Sequence, residues 1–168
     1  MKKLHKGFIA LLIISSTFFY ACKDDSDSPE PNDNQNDPTE IPTVNEATFA
    51  SKTISLTNIT CAANAFGIPR FVFTAKNSDN SVSVKVELRG TAPETGSKFS
   101  IDPDLGNKTS RVKVYYDSKN WTSSLNANNM ISYLSDDTKQ NVQGTDVEVV
   151  NDADAAETMT LSFNITCE

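Results

Sequence analysis

The stretch SVSVKVELR, residues 81 to 89, has the clearest pattern in the chain. Apolar residues occupy every second position of it, namely Val82, Val84, Val86 and Leu88. This two-residue period is typical of a β-strand with one buried face. The preceding stretch RFVFTAK, residues 70 to 76, alternates in the same way and is joined to it by NSDN. Because Asn, Ser and Asp favour turns, the two stretches are predicted to form a β-hairpin.

The end of the chain predicts a second long strand, TMTLSFNITC at residues 158 to 167. Its inward positions are Met159, Leu161, Phe163, Ile165 and Cys167, and this pattern predicts a central strand of the core. Further strands are predicted in KTISLTN, KFSI, RVKVYY and TDVEVV, whereas residues 122 to 134 could form a turn or two of helix. Residues 43 to 168 are therefore predicted to form one all-β domain. We expect an antiparallel β-sandwich or small barrel of about seven to nine strands.

The first 21 residues predict an export signal. Three lysines precede an apolar run at residues 8 to 20, and Ala21 is the small residue that a signal peptidase needs. The run is too short to span a bilayer, which takes about 20 apolar residues. Residues 22 to 42 contain seven acids and four prolines but one aliphatic residue, Ile41. Because such a composition cannot offset the entropy of ordering, this segment is predicted to be a disordered tether.

The junction at Cys22 resembles the bacterial lipoprotein signal, in which a diacylglyceryl group is joined to the cysteine sulfur. Phe19 and Tyr20 stand where that signal usually has Leu and a small residue. The next residues, KDD, look like the signal that sends lipoproteins of the Bacteroidota to the cell surface. In outline, GSKFSID and ETMTLSFNIT also resemble small β-domain lipoproteins of that group. The resemblance implies lipid attachment at Cys22, with acyl chains such as palmitate, in the outer membrane and facing the cell exterior. It carries over no other functional residue.

The two remaining cysteines, Cys61 and Cys167, would then lie in an oxidising compartment. An even count in such a compartment predicts a disulfide between them, the alternative being two buried thiols.

Net charge limits the possible partners. Loss of the signal removes three of the 15 basic residues and none of the 22 acids, which leaves 12 against 22. A net charge of −10 disfavours nucleic acids and anionic membrane surfaces, because both would be repelled.

Catalytic signatures are scarce in this sequence. The single histidine, His5, belongs to the predicted signal, so the mature chain lacks the imidazole of Ser-His-Asp and Cys-His sites. We therefore expect a protein that is not an enzyme and needs no cofactor. The loop DPDLGN places Asp102, Asp104 and Asn107 close together, which allows calcium binding but is also typical of a plain turn.

Aromatic residues give the last candidate site. Tyr115 and Trp121 could form a platform against which a sugar ring packs, although a single Trp in a β domain more often packs in the core. The sequence thus predicts a lipid-anchored binding module for a glycan or a protein. The alternative is a periplasm-facing accessory or inhibitor protein of an envelope complex, and a small hydrolase is a more distant one.

Overall fold

The computed structural model describes residues 40–64, 69–125 and 129–168. These residues form an all-β fold with no helix, as predicted, and contain eleven strands rather than seven to nine. The strands are β1 (Glu46–Phe49), β2 (Lys52–Ser55), β3 (Asn58–Asn64), β4 (Arg70–Lys76), β5 (Ser83–Arg89), β6 (Lys98–Ile101), β7 (Thr109–Tyr116), β8 (Lys119–Ser123), β9 (Met130–Ser135), β10 (Gln140–Asn151) and β11 (Asp154–Cys167). Residues 122 to 134, for which a turn or two of helix was an expectation, contain the end of β8 and most of β9.

All strands belong to one sheet with the order β2-β1-β11-β10-β9-β6-β7-β5-β4-β3, and β8 pairs with both β10 and β7. Neighbouring strands are antiparallel except β6 and β7, which run parallel through Ser100–Thr109 and Ile101–Ser110. The sheet is therefore mixed through this one pair and antiparallel elsewhere, in line with the predicted antiparallel fold. The seven-residue link between β6 and β7 returns the chain to the same direction. It contains two residues with positive φ, Leu105 and Lys108.

The sheet folds over on itself around one hydrophobic core. Strands that are not neighbours in the sheet meet inside it: Phe49 of β1 stacks on Tyr116 of β7, with ring centroids 4.1 Å apart. Phe73 of β4 meets the edge of Tyr133 of β9 at 6.2 Å. The alternation read from SVSVKVELR is confirmed, because Val82, Val84, Val86 and Leu88 are all buried.

The last strand is an interior strand of the sheet. β11 pairs with β1 on one side and with β10 on the other, and it buries Leu161, Phe163 and Ile165. The predicted disulfide is present between Cys61 of β3 and Cys167 at the end of β11. Because β3 is the last strand in the sheet order and β11 is the third, this bond joins one edge of the sheet to a strand near the other edge. Closing a loop of 106 residues stabilises the fold by about 4 to 5 kcal/mol in the chain-entropy model.

The domain packs residues from slightly before position 43. Ile41 is buried, and the carbonyl of Pro42 accepts a hydrogen bond from the hydroxyl of Thr166 at 2.6 Å. The predicted signal, Cys22 and the tether up to residue 39 lie outside the described residues. In the part of the chain that is described, no helix has the length and apolar character needed to cross a membrane.

Candidate binding site

The two aromatic candidates lie on opposite faces of the sheet. Tyr115 of β7 is 37% exposed and is paired with Asn120 of β8, whereas Trp121 is only 4% exposed. Trp121 is paired with Val114 and faces the core, where its indole nitrogen donates to the carbonyl of Tyr116 at 3.2 Å. Neighbouring residues of a strand point to opposite faces of the sheet. The register of β8 pairs Trp121 with Val114, so Trp121 points inward. The prediction of one platform made by both residues was therefore wrong.

Tyr115 lies at the rim of a cleft with a volume of about 510 Å³. Three elements form the cleft, namely the β4–β5 turn, the β7–β8 turn and the edge strand β2. Most of its lining side chains are polar; the full set is Lys52, Ile54, Asn77, Asp79, Ser81, Val82, Tyr115, Tyr116, Asp117 and Ser118. Such hydroxyls, amides and carboxylates both donate and accept hydrogen bonds, so the cleft suits a ligand that does the same.

Hydrogen bonds fix the conformation of the β4–β5 turn. One carboxylate oxygen of Asp79 accepts from the hydroxyl of Ser81 at 2.7 Å and from its backbone N–H at 3.0 Å. These bonds, with that of the hydroxyl first, lower the pKa of Asp79 below its ordinary value. The side chain of Asn77 bonds both the hydroxyl of Ser81 and the N–H of Val82. This wall of the cleft is therefore held in place before any ligand arrives.

The β7–β8 turn forms another wall and has only two residues. Asp117 and Ser118 both have positive φ, 52° and 59°, and lie between the paired residues Tyr116 and Lys119. Two consecutive residues of this kind are typical of a type I′ turn, whose twist matches that of the flanking strands. The tight turn holds Tyr115 in a defined position at the cleft, since only Tyr116 separates Tyr115 from the turn.

A buried carboxylate lies on the same outward face as Tyr115. Glu87 of β5 is surrounded by Arg111 at 2.7 Å, Lys85 at 3.3 Å and Arg70 at 3.7 Å. Burial alone raises the pKa of Glu87, but the hydrogen bonds and charge of Arg111, helped by Lys85, hold it below its ordinary value. Glu87 is thus an ionised counter-ion of three cations.

The proposed calcium loop is stabilised by its own backbone. One carboxylate oxygen of Asp102 accepts from the N–H of Asp104 at 2.9 Å, and the other accepts from the N–H of Gly106 at 3.0 Å. These are the contacts of the plain turn that the sequence also allowed. Within residues 40–64, 69–125 and 129–168, no group of three or more acidic, histidine or cysteine side chains is placed to hold a metal ion. Calcium at Asp102, Asp104 and Asn107 stays an untested prediction.

A second ion pair joins β8 to β11 next to the Tyr115 cleft. Lys119 donates to Glu157 at 2.6 Å, and the other carboxylate oxygen of Glu157 accepts from the amide of Asn151, also at 2.6 Å. The hydrogen bond with Glu157 raises the pKa of Lys119, and the same bond lowers the pKa of Glu157. The pair fixes the start of β8 against β11, which in turn is bonded to Asn151 of β10, and so supports the strand that carries Asn120 beside Tyr115.

Sequence reasoning missed the cations that surround Tyr115 and Glu87. They occupy the polar positions of the alternating stretches RFVFTAK, SVSVKVELR and RVKVYY. The signal was present, because a strand with one buried face directs all these positions to the other face. The sum of the charges at the outward positions of the three strands identifies this group of cations from the sequence alone. Comparison of the chain with protein-family models, with curated proteins and with solved structures gives no match.

Proposed function

We propose that this protein is a lipid-anchored outer-membrane protein whose β domain is a non-catalytic module that binds a glycan in the Tyr115 cleft. The observation that carries the proposal is the exposed ring of Tyr115 at the rim of a polar cleft. Sugar rings present apolar faces that pack on aromatic rings, and hydroxyls that exchange hydrogen bonds with polar side chains. The two turns have fixed conformations before binding. This favours binding, because little conformational entropy of the turns is lost when the ligand binds.

The lipid anchor is supported by the sequence around Cys22. The apolar run before it, the cysteine itself and the KDD that follows fit a surface lipoprotein of the Bacteroidota. Metabolic labelling with a palmitate analogue tests the anchor, with Cys22→Ala as the matched control. Protease shaving of intact cells that carry a C-terminal epitope tests the outward orientation. A label on the Cys22→Ala chain, or an epitope that survives until the outer membrane is opened, would contradict the corresponding part of the proposal.

Binding is tested by affinity electrophoresis of the Cys22→Ser chain in gels that contain single polysaccharides. We expect at least one polysaccharide to retard the protein and Tyr115→Ala to weaken that retardation. Tyr115→Phe should keep most of it, since the ring face remains. The matched control is Leu125→Ala, because Leu125 is another exposed apolar residue, at 75% exposure, outside the cleft. Retardation that is equal for Tyr115→Ala and the parent chain would contradict binding at this site.

The alternative is an accessory or inhibitor protein of an envelope complex that docks through a sheet edge. It is favoured by one observation: β2 and β3 end the strand order, so each pairs on one side only among the described strands. An edge of this kind can accept a strand from a partner. A partner that co-purifies from envelopes with the Tyr115→Ala chain as well as with the parent would support this alternative.

A further inference from the structure

The outward face of β4, β5 and β7 concentrates positive charge. Register places twelve residues on this face, four from each strand. Six of them are cationic: Arg70, Lys76, Lys85, Arg89, Arg111 and Lys113. Glu87 is the only acid among the twelve, so the formal charge of this basic face is six minus one, or +5.

The rest of the domain has the opposite charge. Residues 43–168 contain 11 basic and 15 acidic residues. Outside the basic face this leaves five basic and 14 acidic residues, a formal charge of −9. The charge of the domain is therefore strongly polarised, which the net charge of the chain does not show. A cationic surface on an acidic protein attracts anions to that surface and repels them elsewhere.

The accessible cations of the basic face lie next to Tyr115. Lys85 of β5 and Lys113 of β7 are directly opposite each other, and Tyr115 lies two residues further along β7. The side chain of Lys85 is 42% exposed, and Lys113 is also exposed. Directly opposed residues in a sheet lie about 5 Å apart, and successive residues on one face about 7 Å apart. The two ammonium groups and the tyrosine ring therefore lie within one contiguous surface.

The arginines at the far end of the face are held by the chain itself. Arg89 donates to the carbonyl of Leu105 at 2.5 Å, and Arg111 donates to that of Pro103 at 3.2 Å. Lys85 pairs with Glu87 at 3.3 Å, but neither Lys85 nor Lys113 makes such a contact with that loop among the described residues. The end of the face that remains open to a ligand is therefore the end that adjoins the cleft.

We propose that the basic face binds an acidic polysaccharide, with its carboxylate or sulfate groups paired with Lys85 and Lys113. A sugar ring of the same chain lies against Tyr115, and its hydroxyls face the cleft. This inference rests on the proposed function as a glycan-binding module and names the class of the glycan.

Two features favour a polysaccharide over a nucleic acid or an acidic peptide. The cleft beside Tyr115 contains the carboxylates of Asp79 and Asp117, which accept hydrogen bonds from hydroxyls but repel a continuous run of anionic groups. In addition, Tyr115 is the single aromatic residue on the face, whereas nucleic-acid surfaces of sheets stack several bases on several rings. A sugar chain whose units carry neutral hydroxyls beside their charged groups fits both the lysines and the cleft.

The test measures the affinity of the Cys22→Ser chain for heparin and for polygalacturonate, one sulfated and one carboxylated. Neutral dextran, duplex DNA and poly-glutamate are the comparison ligands. We expect an acidic polysaccharide to bind more tightly than any of these three and to lose affinity as salt is raised. The variant Lys85→Gln/Lys113→Gln should bind it about tenfold more weakly. Lys85→Arg/Lys113→Arg should retain binding, which separates loss of charge from loss of fold.

The matched control is Lys98→Gln/Lys139→Gln, which removes the same charge outside the basic face and should leave the affinity within about twofold. DNA or poly-glutamate binding as tightly as the polysaccharide would overturn the inference. So would affinity that is equal in the Gln double variant and the parent. Tyr115-dependent binding of a neutral glycan without any response to these lysines would overturn the inference and leave the proposed function standing. Lysine-dependent binding that is unchanged in Tyr115→Ala would support the basic face and contradict the cleft.

Discussion

Arg111 donates two hydrogen bonds to a single carboxylate oxygen of Glu87, from Nε at 2.8 Å and from Nη2 at 2.7 Å. The two residues are directly opposite each other on β7 and β5. The other oxygen of Glu87 faces Lys85 at 3.3 Å and Arg70 at 3.7 Å. The carboxylate side chain is 3% exposed, so its charge is balanced by these cations rather than by water. Glu87 thereby allows like charges to share one sheet face.

Glu87→Gln is expected to lower the free energy of unfolding at pH 7 by about 2 kcal/mol, because hydrogen bonds to a charged group are lost and three cations lose their counter-ion. Urea unfolding followed by circular dichroism measures this change. The control is Glu157→Gln, since Glu157 is 38% exposed and also pairs with one lysine. Breaking that exposed pair should cost less than breaking the buried one, because solvent screens exposed charges. Equal losses for the two variants would contradict a structural role for Glu87.

The contribution of Glu87 should also depend on pH in a defined direction. Its pKa in the folded protein lies below the ordinary value of 4.5, so folding favours the charged form. The stabilisation is therefore fully present above pH 4.5 and is lost as the pH falls through the lower folded-state pKa. We expect the stability difference between the parent and Glu87→Gln to be constant from pH 7 to about pH 5 and to shrink below that. A difference that grows on acidification would contradict the shift.

Gly144 is predicted to tolerate no side chain. It lies opposite Phe163, just before the bulge in the β10–β11 pairing, and a Cβ atom there would come within 2.5 Å of the Phe163 ring. Gly144→Ala should lower the free energy of unfolding by about 1 to 3 kcal/mol through overpacking. Introducing Gly144→Ala into a Phe163→Leu background should cost less than in the parent, because the ring is absent. Identical costs in both backgrounds would show that the contact with Phe163 is not the cause.

Trp121 and Tyr115 should respond oppositely in stability and in ligand binding. Trp121→Ala removes a buried core side chain and should lower the free energy of unfolding by about 3 to 5 kcal/mol. Tyr115→Ala changes an exposed position and should alter stability by no more than about 0.5 kcal/mol. Thermal unfolding of both variants measures this contrast. A large loss of stability in Tyr115→Ala would mean that its ring serves packing rather than a ligand.

Much of the β architecture follows from local alternation. The period of SVSVKVELR and of TMTLSFNITC predicted strands whose inward residues are buried, or partly buried for Met159 and Cys167, because alternation directly reports which face meets the core. The strand β3 was missed as a separate element, since NITCAAN contains few large apolar residues. The parallel pairing of β6 with β7 was missed too, because it depends on the path of the loop between them and not on alternation.

The candidate site depended on register, which a single sequence does not determine. Tyr115 and Trp121 are close in sequence, yet the turn at Asp117 and Ser118 places them on opposite faces. A shift of one residue in the register of β8 would have turned Trp121 from the buried face to the exposed face. The basic face likewise depends on the pairing of Lys85 with Lys113. The composition gives only the net charge of all basic and acidic residues together.

The most direct test of ligand binding in the Tyr115 cleft is a titration of the ¹⁵N-labelled chain with a polygalacturonate oligosaccharide, followed by amide chemical shifts. Binding in the cleft predicts changes that cluster at Asn77, Ser81, Tyr115 and Ser118 and extend to Lys113. The same titration of Tyr115→Ala should reach half-saturation only at a higher ligand concentration. Changes confined to β3 or to the β2 edge away from the cleft, or none at saturating ligand, would contradict the account.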